Sequence, residues 1–358
     1  MVAQDVVVVG FGAIGSFYAY ALEKSGKARV TAICRSNYDV LQQHGLDIIS
    51  DRLGKAQGWK PHRIVRSIEE SADRNYSFIV CATKCVPELN KTTDILSPLL
   101  EKLTQSPETA IVLLQNGIGI EDDVLDWLAQ RSLKNIVLSG CAWVDTTAID
   151  GGRTITQFGN ERLVLGYHRP PTSTDATPST TFSKDIAREK LDTFSDILKA
   201  SGANVEPVAD MDAARWRKVL WNASFSTICT LTRANVGDVL AVEPARNALS
   251  DVMLEVLAVA RASLSPESAS LLPDSVAQDI IKNENPKSVF KPSMLVDLEA
   301  GRPMEIEAIV GGVLKRAKNA GVEVPKLKLV YAGLSVIQAG LLKKSRLGDH
   351  QVRDSSTS

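Results

Sequence analysis

The sequence predicts an α/β domain built on a mostly parallel sheet, followed by an all-α domain. Three observations carry that prediction. A continuous apolar run, Val6 to Val9, leads straight into Gly10-Phe11-Gly12-Ala13-Ile14-Gly15 and then a helical stretch, Ser16 to Leu22. Short apolar runs then alternate with helical segments as far as Val208. Beyond Asp210 the apolar spacing is helical almost to the end. Strand–helix alternation is the pattern of parallel strands joined by crossover helices, and a later run of helices marks a separate layer or domain.

A G-x-G-x-x-G alone is weak. Here it follows a strand, opens a helix and precedes a second strand, Arg29 to Cys34, which makes it the fingerprint of a Rossmann-type, doubly wound domain. Gly10 permits the tight turn, Gly12 lets backbone approach a pyrophosphate, and Gly15 lets helix and strand pack closely. Phe11, Ala13 and Ile14 complete the loop. The helix N-terminus offers unpaired N–H groups and a positive dipole end to phosphates. The second strand ends in Ile33-Cys34-Arg35-Ser36-Asn37, without the acid that grips the ribose 2′-hydroxyl of NAD. Arg35 stands there instead, and a guanidinium suits a 2′-phosphate, so NADPH/NADP+ is the expected cofactor. Asp39 comes too late to replace the missing acid.

The remaining elements follow in order. A helix is expected around Val40–His44 and a short strand over Gly45–Ile49; Ser77–Ala82 and Ala110–Leu114 read as buried strands. A helix over Glu121–Gln130 carries acids in its first turn, and Asn135–Ala142 is a further strand. Arg153–Tyr167 alternates, with Gly159-Asn160 expected as the turn of a hairpin. Residues 169–183, rich in Pro, Ser and Thr, read as an exposed loop insertion. A helix over Asp185–Ala200 and a strand over Asn204–Val208 close the first domain, 1–209. Helices are expected at 211–230, 244–262, 273–283, 304–320 and 326–344, with prolines at their starts or breaks. The second domain is thus 210–346, and 347–358 reads as a polar, disordered tail.

Bulk properties narrow the function class. The chain has 358 residues, 44% hydrophobic and 23% charged, an ordinary globular composition with room for two domains. A net charge of −1 gives no electrostatic case for nucleic acid or an anionic membrane. No apolar run reaches the roughly 18 residues of a membrane span. The first strand begins so near Met1 that no leader is expected, which makes a cytoplasmic protein the expectation. Five scattered cysteines form neither a disulfide framework nor a zinc spacing, and the four histidines lie far apart, so no metal is expected.

Three strand ends attract attention: the glycine loop, Thr83-Lys84, and Gln115-Asn116-Gly117. An Asn at the third can hold a nicotinamide or a substrate oxygen, or serve only as a turn residue before Gly. Lys84 can reach cofactor phosphates or a substrate carboxylate, or lie solvated on the surface. In the helical half, Lys218, Asn222 and Ser226 fall at i, i+4 and i+8 on a mostly apolar helix beginning near Trp216. They form one slowly drifting stripe, which is either a face turned to a wet cleft or the solvent side of an amphipathic helix.

With these residues in view, the chain resembles the ketopantoate reductases (2-dehydropantoate 2-reductases) over nearly its whole length. The resemblance rests on Gly10 to Gly15, Arg35, Thr83-Lys84, Leu114-Gln115-Asn116-Gly117, Trp216-Arg217-Lys218 with Asn222, Ser293-Met294 with Asp297, and Glu305-Ile306-Glu307. Gly312, Ala317, Gly321 and Pro325 extend it. It implies NADPH-dependent reduction of a 2-oxo acid to a 2-hydroxy acid, 2-dehydropantoate to pantoate first among them, as in pantothenate biosynthesis. It implies Lys218 as general acid, Glu305 as the carboxylate that orients substrate and supports the lysine's charge, and Asn116 beside the nicotinamide. Asn222, Ser226 and Ser293 would lie on the substrate side and Lys84 on the cofactor. It leaves a homodimer open. One position departs from the pattern: the family commonly has a second Asn where this chain has Ser226, and serine lacks the amide's paired donor and acceptor. That departure admits a different carbonyl substrate. A non-catalytic NADPH-binding sensor is a further alternative, disfavoured by a polar set that a sensor does not need.

Overall fold

The computed structural model describes residues 3–35, 37–168 and 183–355. Its contacts divide the chain into two compact units. The first holds the chain up to Lys84, Thr92–Gln115 and Ile120–Met211; the second holds Cys85–Lys91, Asn116–Gly119 and the chain from Asp212 onward.

The first unit is built on one sheet. Its elements are β1 (Gln4–Val9), α1 (Ala13–Lys24), β2 (Ala28–Ile33), α2 (Tyr38–His44), β3 (Leu46–Ser50), β4 (Gly54–Trp59), β5 (Arg63–Val65), α3 (Ile68–Ser71), β6 (Phe78–Cys81), α4 (Thr92–Leu100), β7 (Ala110–Leu113), α5 (Asp122–Gln130), β8 (Val137–Ile149), β9 (Thr154–Tyr167), α6 (Lys184–Ala200) and β10 (Val205–Pro207). The strand order is β4-β3-β9-β8-β7-β6-β1-β2-β5, with β10 added to β9. From β5 through β8 every pairing is parallel. The chain passes from β1 to β2, crosses to β3 and β4 at the far edge, comes back to β5 beside β2, and then enters β6 on the other side of β1. That reversal is the topological switch point, and it leaves the C-terminal ends of β1, β2 and β6 side by side. Val6 to Val9 are fully buried, as are Phe17, Tyr18 and Leu22 of α1. Each large apolar side chain so buried contributes about 1.5–3 kcal/mol.

The expected turn at Gly159-Asn160 is not a turn. Strand β9 runs through it, antiparallel to β8, and pairing steps from Val144↔Glu161 to Asp145↔Phe158. Gly159 and Asn160 are therefore a β-bulge, with Gly159 at φ 66° and its N–H donated to Asp51 Oδ2 at 2.7 Å. The hairpin turns instead at Asp150–Gly152, where Gly151 and Gly152 take positive φ. A glycine with positive φ suits both solutions, which is why the sequence does not separate them. Beside the bulge, Glu161 is buried; it accepts a 2.9 Å bond from the Tyr18 hydroxyl and a 2.8 Å bond from the Asn204 N–H. Burial raises the pKa of both Tyr18 and Glu161. The expected insertion at 169–183 lies outside the described residues except for Ser183, whose Oγ accepts the Ile186 N–H and caps α6.

The second unit is helical: α7 (Met211–Trp221), α8 (Thr227–Thr232), α9 (Val236–Ala241), α10 (Glu243–Ser263), α11 (Pro266–Ser270), α12 (Val276–Asn283), α13 (Ser293–Glu299), α14 (Gly312–Ala320) and α15 (Pro325–Ser355). A π-helical turn, Asn222–Ser226, joins α7 to α8, and a second, Glu307–Gly311, leads into α14. Helix α10 lies at the centre, packing against α9, α12, α14, α15 and the first π turn. Its Leu249, Val252, Met253, Val256 and Val259 share a core with Trp216, Leu220, Phe225 and Val313. Helix α15 continues to Ser355, past residue 346 where composition marks the start of a tail. No described helix is long and apolar enough to cross a membrane.

Candidate active site

The glycine loop of the first unit separates three jobs. Gly10 has φ 94°, and a Cβ there would stand 2.5 Å from the backbone N of Thr83. Only glycine lets the loop close on the end of β6. A Cβ on Gly15 would stand 1.9 Å from the Gly10 carbonyl oxygen and 3.3 Å from Ala82 Cβ. Gly15 thus seats α1 on the sheet. Gly12 differs: its backbone is extended, and a Cβ there would meet no heavy atom within 4 Å. Gly12 caps α1 without a side-chain acceptor, and the first turn of α1 contains no acid. Open space at the positive end of a helix, with N–H groups that no side chain caps, fits a pyrophosphate.

Arg35 follows the buried end of β2 and is exposed. Among the described residues it has no acidic partner, whereas Asp39 is held by Arg66 at 2.7 Å. The acid nearest Arg35 in sequence is therefore engaged elsewhere, and a guanidinium stands where the ribose end of a dinucleotide is expected. Lys84 is exposed at the end of β6. Gln115 is buried and ties two strand ends together. Its Nε2 donates to Thr83 Oγ1 at 3.1 Å, and its Oε1 accepts from Thr92 Oγ1 at 3.1 Å.

Within the second unit, Asn116 and Glu305 meet. Asn116 Nδ2 donates to Glu305 Oε2 at 3.2 Å, and the Cys85 N–H donates to Glu305 Oε1 at 2.9 Å. Both oxygens of a buried carboxylate are thereby held. The residue before it is held too: Gln338 on α15 takes the Met304 N–H at 2.9 Å, returns a bond to the Met304 carbonyl at 2.9 Å, and reaches Glu88 Oε1 at 3.0 Å. After Asn116 the backbone turns at Gly117, φ 110°, where a Cβ would lie 2.4 Å from the Ala308 carbonyl oxygen. The same carbonyl accepts the Ile118 N–H at 2.9 Å.

Lys218 is half-buried on α7. Asn222 opens the first π turn and Ser226 closes it, and both are buried, so these two do not form the solvent side of an amphipathic helix. The i→i+5 turn adds a residue between them, so the stripe does not keep the α-helical drift assumed from spacing. Hydroxyls serve the carbonyls around it: Ser224 Oγ donates to Leu220 O at 2.6 Å and Thr227 Oγ1 to Ala223 O at 2.7 Å. The second π turn, two residues after Glu305, packs against the first. Short π segments recur at functional sites because they aim side chains that a regular helix cannot. Helix α13 also packs on the first π turn. Its Ser293 is exposed, and its Asp297 is buried and accepts from Arg302 Nε at 3.1 Å.

Several contributors were not singled out from the sequence. The Cys85 N–H is a backbone group, with no residue-type signal. Gln338 is one of many polar residues on a long helix that also carries Lys326, Lys328, Ser335, Lys343 and Lys344. An aromatic group adjoins the π turn in sequence: Trp221 stacks on Phe225 with centroids 5.3 Å apart and meets Phe290 at 6.1 Å. Trp221 Nε1 is anchored on Glu284 Oε1 at 2.6 Å, and the Phe290 carbonyl accepts the Val236 N–H.

The chain is similar to known proteins over nearly its whole length. A family model described as ketopantoate reductase PanE/ApbA matches residues 6–170, and that of its C-terminal part matches 210–338. An uncharacterised protein of Saccharomyces cerevisiae is 30% identical over 359 residues, covering 96% of each chain. The crystal structure of a 2-dehydropantoate 2-reductase from Methylococcus capsulatus is 28% identical with a TM-score of 0.74, covering 94% of this chain and 97% of its own. A D-mandelate dehydrogenase solved with NADH and anilino(oxo)acetate shares the fold at a TM-score of 0.76 and 20% identity, covering 94% of this chain and 99% of its own.

Proposed function

The chain belongs to the ketopantoate reductase family, a family of oxidoreductases, and on that premise we propose that it reduces a 2-oxo acid to the 2-hydroxy acid with NADPH, 2-dehydropantoate being the leading substrate. The observation that carries this reading is the Asn116–Glu305 pair, a buried carboxylate held at both oxygens in the same unit as Lys218 and Asn222. NADPH supplies the hydride. Lys218 donates its proton to the carbonyl oxygen as negative charge builds there, so the products are the 2-hydroxy acid and NADP+. Glu305 orients the substrate, and Asn222 and Ser293 bond its polar groups. Asn116 would be the residue that holds the nicotinamide. Gly12 and the N-terminus of α1 take the pyrophosphate, Arg35 the 2′-phosphate, and Lys84 a further phosphate oxygen.

A second reading keeps the chemistry and changes the substrate to a 2-oxo acid with a bulkier apolar side chain. Ser226 favours it, being shorter than the expected Asn, as do the partly exposed rings of Trp221 and Phe290. A D-mandelate dehydrogenase sharing the fold is consistent with it.

The test is loss of reduced-nicotinamide absorbance with NADPH or NADH across a panel of 2-oxo acids that includes 2-dehydropantoate. Preference for NADPH is expected, and Arg35→Ala should weaken NADPH far more than NADH. Lys218→Ala should lower kcat by about 100–1,000-fold, the range seen on removing one charge-stabilising donor, while NADPH still binds. Absence of turnover with every 2-oxo acid rejects the reading, and an unchanged kcat in Lys218→Ala rejects the assigned acid.

A further inference from the structure

Arg215 is among the most deeply buried side chains of the second unit, 1% exposed on α7. A guanidinium is seldom placed there without a task, because its desolvation is costly and only fixed hydrogen bonds offset it. Its Nη1 donates to the carbonyl oxygen of Gly117 at 3.0 Å. Gly117 follows Asn116, and Asn116 is the residue whose amide holds Glu305. Around the other side of the same short segment, Ala308 accepts the Ile118 N–H. Residues 116–119 are thus clamped between α7 and the second π turn. Arg215 also lies one helical turn before Lys218, so one side chain links the helix bearing the proposed acid to the segment bearing Asn116.

We propose that Arg215 is a positioning residue, fixing the Asn116–Glu305 pair through the Gly117 carbonyl. This rests on the proposed reductase activity for its kinetic consequence but not for its structural one. A charged donor to a carbonyl is stronger than a neutral one, so the Nη1 bond holds the Gly117 carbonyl more firmly than an amide donor would.

Arg215→Gln and Arg215→Lys are compared with wild type by amide hydrogen exchange of Ile118, by NADPH titration and by steady-state kinetics. In Arg215→Gln, exchange at Ile118 should quicken by at least about 10-fold, while core amides of α10 keep their protection. The kcat should fall by about 10-fold or more with the NADPH Kd unchanged within about twofold. Arg215→Lys keeps the charge and should recover part of the kcat. Unaltered Ile118 exchange, or wild-type kcat in a folded Arg215→Gln, overturns the proposal. If Arg215→Gln does not fold, Arg215→Lys carries the test: wild-type kcat and Ile118 exchange there overturn it. The exchange experiment needs no substrate. If wild type reduces no 2-oxo acid, the functional reading fails while Ile118 exchange still decides the role of Arg215.

Discussion

Gly10, Gly12 and Gly15 look alike in the motif, yet substituting them should have different outcomes. A methyl on Gly15 is driven onto the Gly10 carbonyl, 1.9 Å away, so Gly15→Ala should destabilise the first unit by about 1–3 kcal/mol or more, as overpacking does. A methyl on Gly12 meets nothing within 4 Å, and the backbone there, φ −83° and ψ −163°, suits an L-residue. Gly12→Ala should therefore melt close to the wild-type temperature, since the unfolded chain loses freedom while alanine is a poorer N-cap than glycine. Its methyl would occupy the space assigned to the pyrophosphate, so the Kd for NADPH should rise by at least about 10-fold, or 1.4 kcal/mol. Thermal melting and a fluorescence titration measure both. Unchanged NADPH affinity in Gly12→Ala would remove the loop from the cofactor site. The spacing of the three glycines is legible in the sequence; which of them faces open space depends on Thr83 and Ala82, remote in the chain.

The elements differ in how far their residues announce them. Strands β1, β2, β6 and β7 are flanked by neighbours, so they read as unbroken apolar runs. Strand β4, Gly-Lys-Ala-Gln-Gly-Trp, lies at the sheet edge with exposed positions throughout its length, and β5 has three residues; neither carries that signal. Helices α9, α11 and α13 are about two turns or less, too short for a periodic pattern. The π turns are invisible because Lys218, Asn222 and Ser226 have helical spacing whichever hydrogen bonds form. For the site, this means that the residue types were legible and their aim was not. The first π turn yields its own prediction. Ser226→Asn adds an amide at its buried last position, so kcat/KM for 2-dehydropantoate relative to an aromatic 2-oxo acid should rise by about 10–200-fold, the range of a single pocket contact. Steady-state kinetics with both substrates measures that ratio. No change in it would mean that Ser226 does not face substrate.

At the scale of the molecule, a cut at residue 209/210 misses what binds the second unit together. Cys85–Lys91 and Asn116–Gly119 sit between strands in sequence, yet their bonds run to Glu305, Ala308, Arg215 and Gln338. Such pairing across about 100–250 positions leaves no local pattern. Each unit nevertheless carries an internal reporter of its folding: a buried thiol, Cys34 in the first and Cys229 in the second, with burial pushing each up to about 12 from an ordinary value of 9.0. The unfolded chain then ionises these thiols above about pH 9 and the folded chain does not. Stability from this source is intact below pH 9 and falls as pH rises from about 9 toward 12. By pH 10 the loss should be about 1.4 kcal/mol per thiol. Tyr18, also raised by burial, acts in the same direction at higher pH, so the comparison belongs between pH 8 and pH 10. Denaturant unfolding at these two values should show wild type losing stability. Burial raises Cys81 as well, so Cys34→Ala and Cys229→Ala should each remove a part of the loss smaller than half if the chain unfolds in one transition. If it unfolds in two, each substitution should flatten only the transition of its own unit. An equal loss between pH 8 and pH 10 in wild type and both variants would show that neither thiol is shielded in the folded chain.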